Sequence, residues 1–151
     1  MPTYTVTAPK KSLSNEQKQR VAAAITDTHC ETTAAPNYFA QVIFVEVKAS
    51  NYFLAGRPLE SQQVYVHGCI RAGRSAEVKS RLINGLMQAV ADAAVVPRHQ
   101  VWVYIAELPA AQIAELGHVL PEPGAEAAWN AALPAADRER MQAIGRGRAS
   151  T

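Results

Sequence analysis

The chain has 151 residues, 48% of them hydrophobic and 19% charged, with a formal net charge of +2. This fits one domain around one sizeable core, and it argues against disorder and against a nucleic-acid footprint, since no Lys/Arg cluster interleaves with aromatics. No apolar run reaches membrane-spanning length, and no basic-then-apolar leader opens the chain at "MPTYTV".

Cys30 and Cys69 lack metal-ligand spacing and read as free thiols, so the expected compartment is the cytoplasm. In chain order, "TYTVTA" (3–8) alternates threonine with Tyr and Val, which predicts a strand. Ser14 and Gln17 then form a capping-box pair, and Val21, Ile25 and His29 share one helical face. "AAPNY" breaks that helix ahead of an apolar strand, "FAQVIFVEV" (39–47).

The pattern recurs. "QQVYVHGCI" (62–70) is a strand, and Ser75 caps a helix over about 76–95 with Val78, Leu82, Leu86 and Val90 in one stripe. "QVWVYIAEL" (100–108) is the fourth strand. Two β-α-β repeats, about 2–47 and 62–108, therefore predict an α/β (α+β) fold. A four-stranded mixed sheet carries two long helices on one face, and the other face, also apolar, is expected to bury against other subunits. Beyond Pro109, "AAQIAEL" is read as a short helix ending at Gly117, and "PEPG" (121–124) as a turn. "AEAAWNAAL" and "AADRERMQAI" are read as short helices and "GRGRAST" as a frayed tail. The expected division is one domain over 1–133, with a peripheral helix and tail over 134–151.

Several residues could carry chemistry. Arg71 and Arg74 flank Gly73 where a strand hands over to a helix. Guanidinium forks and a helix N-terminus suit a small anion, although for this segment alone two surface arginines bonding a neighbour's carboxylates are the favoured reading. Pro2 would carry a secondary amine once Met1 is removed, and such an amine can serve as acid or base. Taken singly, His29 reads as a satisfied core histidine, Tyr104 as strand packing and Glu115 as a solvated charge. His67 and Cys69 share the Arg71 face of their strand and are given only a lining role.

Together, "MPTYTV", "AITDTH", "HGCIRAGRS", "VWVYIAELP" and "AELGHVLPEPG" resemble the tautomerase superfamily, most closely its cis-3-chloroacrylic acid dehalogenase group. The resemblance runs from Pro2 to about Leu133. It implies a homotrimer with an N-terminal proline in each active site and no metal or organic cofactor. It also assigns roles: Pro2, Tyr104 and Glu115 as catalytic, with Tyr104 and Glu115 positioning and activating water, and His29, Arg71 and Arg74 as binding the substrate carboxylate. The implied reaction adds water to a small unsaturated carboxylate such as cis-3-chloroacrylate, giving malonate semialdehyde. Hydration of propiolate would use the same residues. Keto–enol tautomerisation of a 2-oxo acid such as phenylpyruvate, decarboxylation of malonate semialdehyde, and a non-enzymatic trimeric binding module are the alternatives.

Overall fold

The computed structural model describes residues 2–146; Met1 and the last five residues of the predicted tail lie outside the described residues. Strand β1 is Thr3–Pro9 and helix α1 is Asn15–Thr33. The predicted capping box is in place: Gln17 N donates to Ser14 Oγ at 3.1 Å and Ser14 N to Gln17 Oε1 at 2.9 Å. Ala34, in the left-handed region at φ 56°, ends the helix. A 3-10 turn at Asn37–Phe39 leads into β2, Gln41–Val47.

A small hairpin follows, β3 at Phe53–Leu54 and β4 at Arg57–Pro58, before the long strand β5, Val64–Arg71. Helix α2 is Ala76–Ala94, with Ser75 Oγ accepting from Val78 N at 3.2 Å. Strand β6 is Val101–Leu108. A second hairpin, β7 at Ala114–Glu115 and β8 at His118–Val119, precedes helices α3, Glu126–Ala132, and α4, Ala135–Arg146.

The main sheet runs β2-β1-β5-β6. Each repeat supplies a parallel pair, β1 with β2 and β5 with β6, and the repeats join antiparallel between β1 and β5. The sheet is thus mixed, as the duplication requires. Tyr4, Val6, Val64, Val66 and Ile70 point to one face and meet Val21, Ile25, Leu82, Leu86 and Val90 of the two helices. All are essentially inaccessible to water, so this helix-covered face is the core. The opposite face is open. Ile43, Val45, Trp102, Tyr104 and Leu108 lie on it and are 37–55% exposed. No helix among the described residues is long and apolar enough to cross a membrane.

The structure corrects one element. "AAQIAEL" forms no helix: a 3-10 turn at Ala110–Gln112 passes into the β7–β8 hairpin. Leu116 at φ 54° and Gly117 at φ 88° are consecutive left-handed residues, the geometry of a two-residue hairpin turn rather than of a helix cap. Glu115 therefore stands on a strand. The first repeat has the same device, with Ala55 at φ 52° and Gly56 at φ 76° turning β3 into β4. The tail is also shorter than expected, because Gly145 and Arg146 close α4. That helix is anchored by buried Met141 and by Asn37 Nδ2 donating to Gly145 O at 3.2 Å.

Candidate active site

Pro2 is buried at the leading end of β1, where its carbonyl accepts from Gln41 N at 3.0 Å. Thr3 pairs with Cys69, so the antiparallel register carries the start of the chain toward Arg71, two residues further along β5. The fold thereby brings the chain start, the end of β5 and the entry to α2 to one sheet end.

Beneath this end lies a buried polar pair. The Tyr4 hydroxyl stands 2.7 Å from His29 Nδ1, with both side chains almost fully enclosed. Gly68 makes room for it: a Cβ there would lie 2.5 Å from Tyr4 Cε1. Burial holds the phenol protonated by raising its pKa well above the ordinary tyrosine value. Burial, followed by the nearby Arg74 charge, lowers His29 to about 3, so the imidazole is neutral. One protonation pattern satisfies both the phenol proton and Nδ1. Tyr4 donates to Nδ1, which leaves the ring proton on Nε2. That nitrogen is buried and has no partner among the described residues. It is a donor held in reserve, at a place where an unmade hydrogen bond is costly.

Of the two arginines, Arg74 is near enough for its charge to act on both members of this pair. Arg74 Nη1 donates to Arg71 O at 2.8 Å, bracing the bend between β5 and α2. Partial burial and the Arg71 charge make the Arg74 cation less comfortable, lowering its pKa, as suits a site awaiting an anion. Arg71 donates from Nη1 to Pro121 O at 2.7 Å and from Nη2 to Glu126 Oε1 at 2.5 Å. Both arginines line a cleft of about 520 Å³ whose apolar wall includes Phe39, Leu120 and Trp129.

Glu115 lines a neighbouring cleft of about 610 Å³ with Thr3, Gln41 and Leu116. Tyr38 and Phe39 border both clefts. Burial raises the Glu115 carboxyl above the ordinary glutamate range, against the pull of the positive charge at the chain start.

Arg71, Arg74 and Glu115 thus line two abutting clefts at one sheet end, while Pro2 and His29 are buried near it and line neither. Tyr104 does not join them. It pairs with His67 in mid-sheet, on the open face, 55% exposed and edge-on to Tyr65 at 5.2 Å. Its level on the sheet is four residues short of Arg71, roughly 13 Å along the strand. His67 and Cys69 lie on that same open face, and neither cysteine is in a disulfide among the described residues. Three participants were not singled out from the sequence: Tyr4, Glu126 and Trp129. Only Tyr4 left a usable signal, as an inward-facing strand phenol that needs a buried partner, opposite a helix whose inward face carries a histidine.

Compared with known proteins, residues 1–132 match the Tautomerase_3 family model, described as "Putative oxalocrotonate tautomerase enzyme". The crystal structure of N1, a member of the cis-3-chloroacrylic acid dehalogenase family, is 37% identical, with a TM-score of 0.89, covering 93% of this chain and 99% of that one. Native Ps01740 is 26% identical at a TM-score of 0.70, over 75% of this chain and 99% of the other. A wild-type fused 4-OT, solved as an asymmetric trimer, shares 23% identity and a TM-score of 0.72 over 78% and 94%, a likeness of fold. No curated protein matches the chain. With its duplicated β-α-β architecture and its family match over nearly the whole described length, the chain belongs to the tautomerase superfamily, within the cis-3-chloroacrylic acid dehalogenase group.

Proposed function

We propose that this enzyme adds water to a small unsaturated monocarboxylate such as cis-3-chloroacrylate, without a cofactor, and that Pro2 is its general acid once Met1 is removed. The observation that carries the reading is the buried, neutral His29, whose Nε2 has no partner among the described residues, within reach of the charge of Arg74, a cation without a carboxylate ion-pair partner among the described residues. A substrate carboxylate supplies what both lack, an acceptor and a negative charge.

In this mechanism Arg74, Arg71 and His29 hold the carboxylate and draw electron density from C3. Glu115, made more basic by burial, takes a proton from water as its oxygen bonds to C3. The Pro2 ammonium delivers a proton to C2. The chlorohydrin then loses chloride and a proton, leaving malonate semialdehyde. Tyr104 assists only from a neighbouring copy, because its level on the sheet, four residues short of Arg71, keeps it roughly 13 Å from that end of its own chain. The exposed apolar side chains on the open face support a homotrimer in which the face is buried and the tyrosine is delivered in trans.

One observation favours a second reading. Phe39, Leu120 and Trp129 give the arginine cleft an apolar wall long enough for a ring, which fits a tautomerase acting on phenylpyruvate with Pro2 as base. Purified protein is incubated in parallel with cis- and trans-3-chloroacrylate, propiolate and phenylpyruvate. The primary reading expects a rate on the cis acid far above the rest; a dominant rate on phenylpyruvate selects the tautomerase.

A further inference from the structure

A short strap, residues 121–126, crosses the arginine loop. Pro121 O and Glu126 Oε1 accept from the two terminal nitrogens of Arg71 at 2.7 and 2.5 Å. Gly124 N donates to the other Glu126 oxygen at 2.8 Å, fixing the carboxylate from behind. The strap rides close over the loop: a Cβ on Gly73 would lie 2.6 Å from Pro123 Cγ. One terminal nitrogen of Arg71 is thus already held by one of the chain's own carboxylates, while its Nε is buried and has no partner among the described residues. Arg74 is in the opposite state. Its Nη1 goes to a backbone carbonyl, and no carboxylate among the described residues forms an ion pair with it. Glu107, the other acid acting on it, is held by Lys79 at 2.7 Å. Both arginines and Glu126 line the same cleft.

We propose that Glu126 is a specificity-determining residue: as the internal counter-ion of Arg71 it restricts the arginine cleft to singly charged carboxylates. The proposal rests on reading that cleft as a carboxylate site. Two guanidinium groups and one carboxylate leave a single net positive charge, which one monoanion cancels. A dianion leaves an excess negative charge beside Glu126, whose side chain is 53% exposed, so solvent weakens the repulsion without removing it. The hydrogen bond from Arg71 keeps the Glu126 carboxyl below the ordinary range, so it stays ionised at neutral pH.

The test is direct binding by titration calorimetry at neutral pH and fixed salt, using succinate and its monomethyl ester. The two have similar shape and differ by one charge, and neither has a double bond to be hydrated. The wild type is expected to favour the monoester. Glu126→Gln should shift the affinity ratio toward succinate by about fivefold. Glu126→Asp keeps the charge and should hold the wild-type ratio, as should Glu122→Gln at an exposed position of the same strap. A ratio within twofold of wild type in Glu126→Gln overturns the proposal. So does an equal shift in Glu126→Asp or Glu122→Gln. If neither ligand binds any form, or if Arg74→Ala binds both as the wild type does, the carboxylate-site reading falls together with it.

Discussion

Tyr4→Phe isolates the buried pair on which the site is built. The substitution removes one oxygen and leaves the ring in the seat that Gly68 opens, so no large cavity forms. What it removes is the one hydrogen-bond partner of His29 Nδ1 among the described residues, at 2.7 Å. Since Nε2 is already unpartnered, the imidazole then has two buried nitrogens unsatisfied. Leaving one more such group without a partner costs about 1–3 kcal/mol. With urea slopes of about 1–3 kcal/mol/M, the unfolding midpoint should fall by roughly 0.5–1.5 M. The assay is urea unfolding followed by circular dichroism, wild type against variant at one protein concentration, because association shifts the midpoint. Turnover should fall as well, since Tyr4 fixes the tautomer that leaves a proton on Nε2. A variant with unchanged midpoint and unchanged turnover refutes the reasoning: the pair would then neither stabilise the fold nor orient the histidine.

Three more perturbations follow from the same geometry. His29 has a folded-state pKa of about 3 against an ordinary 6.5, so below pH 6.5 the unfolded chain binds the proton more readily. Stability should be lost as pH falls from about 6.5 toward 3, by on the order of a few kcal/mol, and His29→Gln should flatten that part of the urea-midpoint profile. Gly73→Ala puts a Cβ at φ 105° and against Pro123, which should cost about 1–3 kcal/mol and loosen the strap on Arg71; an unchanged midpoint and KM would contradict this. Glu115→Gln should lower kcat by about 10²–10⁴-fold and abolish the acid limb of the pH–rate profile. In the wild type that limb should sit above the ordinary glutamate range, with activity falling as the carboxyl gains its proton.

Periodicity was sufficient for the large elements because burial enforces it. Val78, Leu82, Leu86 and Val90 repeat at helical spacing, and the last three are fully enclosed. β1 alternates between the sheet's two faces residue by residue. The β7–β8 hairpin escaped because "AAQIAEL" is also good helix sequence, and only the turn at Leu116–Gly117 decides against a helix. A signal was present: Ser14 and Ser75, Pro36 and Pro97, Gly56 and Gly117, and Leu59 and Leu120 recur at one constant spacing. The duplication therefore extends through both hairpins. Within the site, the arginines were legible because a strand-to-helix junction is local. The Arg71–Glu126 contact joins positions far apart in sequence, and no local pattern announces it. Tyr104 was legible as a residue, while its distance from the clefts depends on its level along β6 relative to Arg71, which the strand pairing sets.

The central claim is that the chain's first nitrogen, freed by loss of Met1, is the acid that completes the reaction. Chloride release from cis-3-chloroacrylate is therefore compared between protein beginning at Pro2 and protein that retains Met1, each verified by intact mass. Release by the Pro2-initiated form, with at least a hundredfold less from the Met1-retaining form, is the expected result. Equal rates from the two forms would contradict the account.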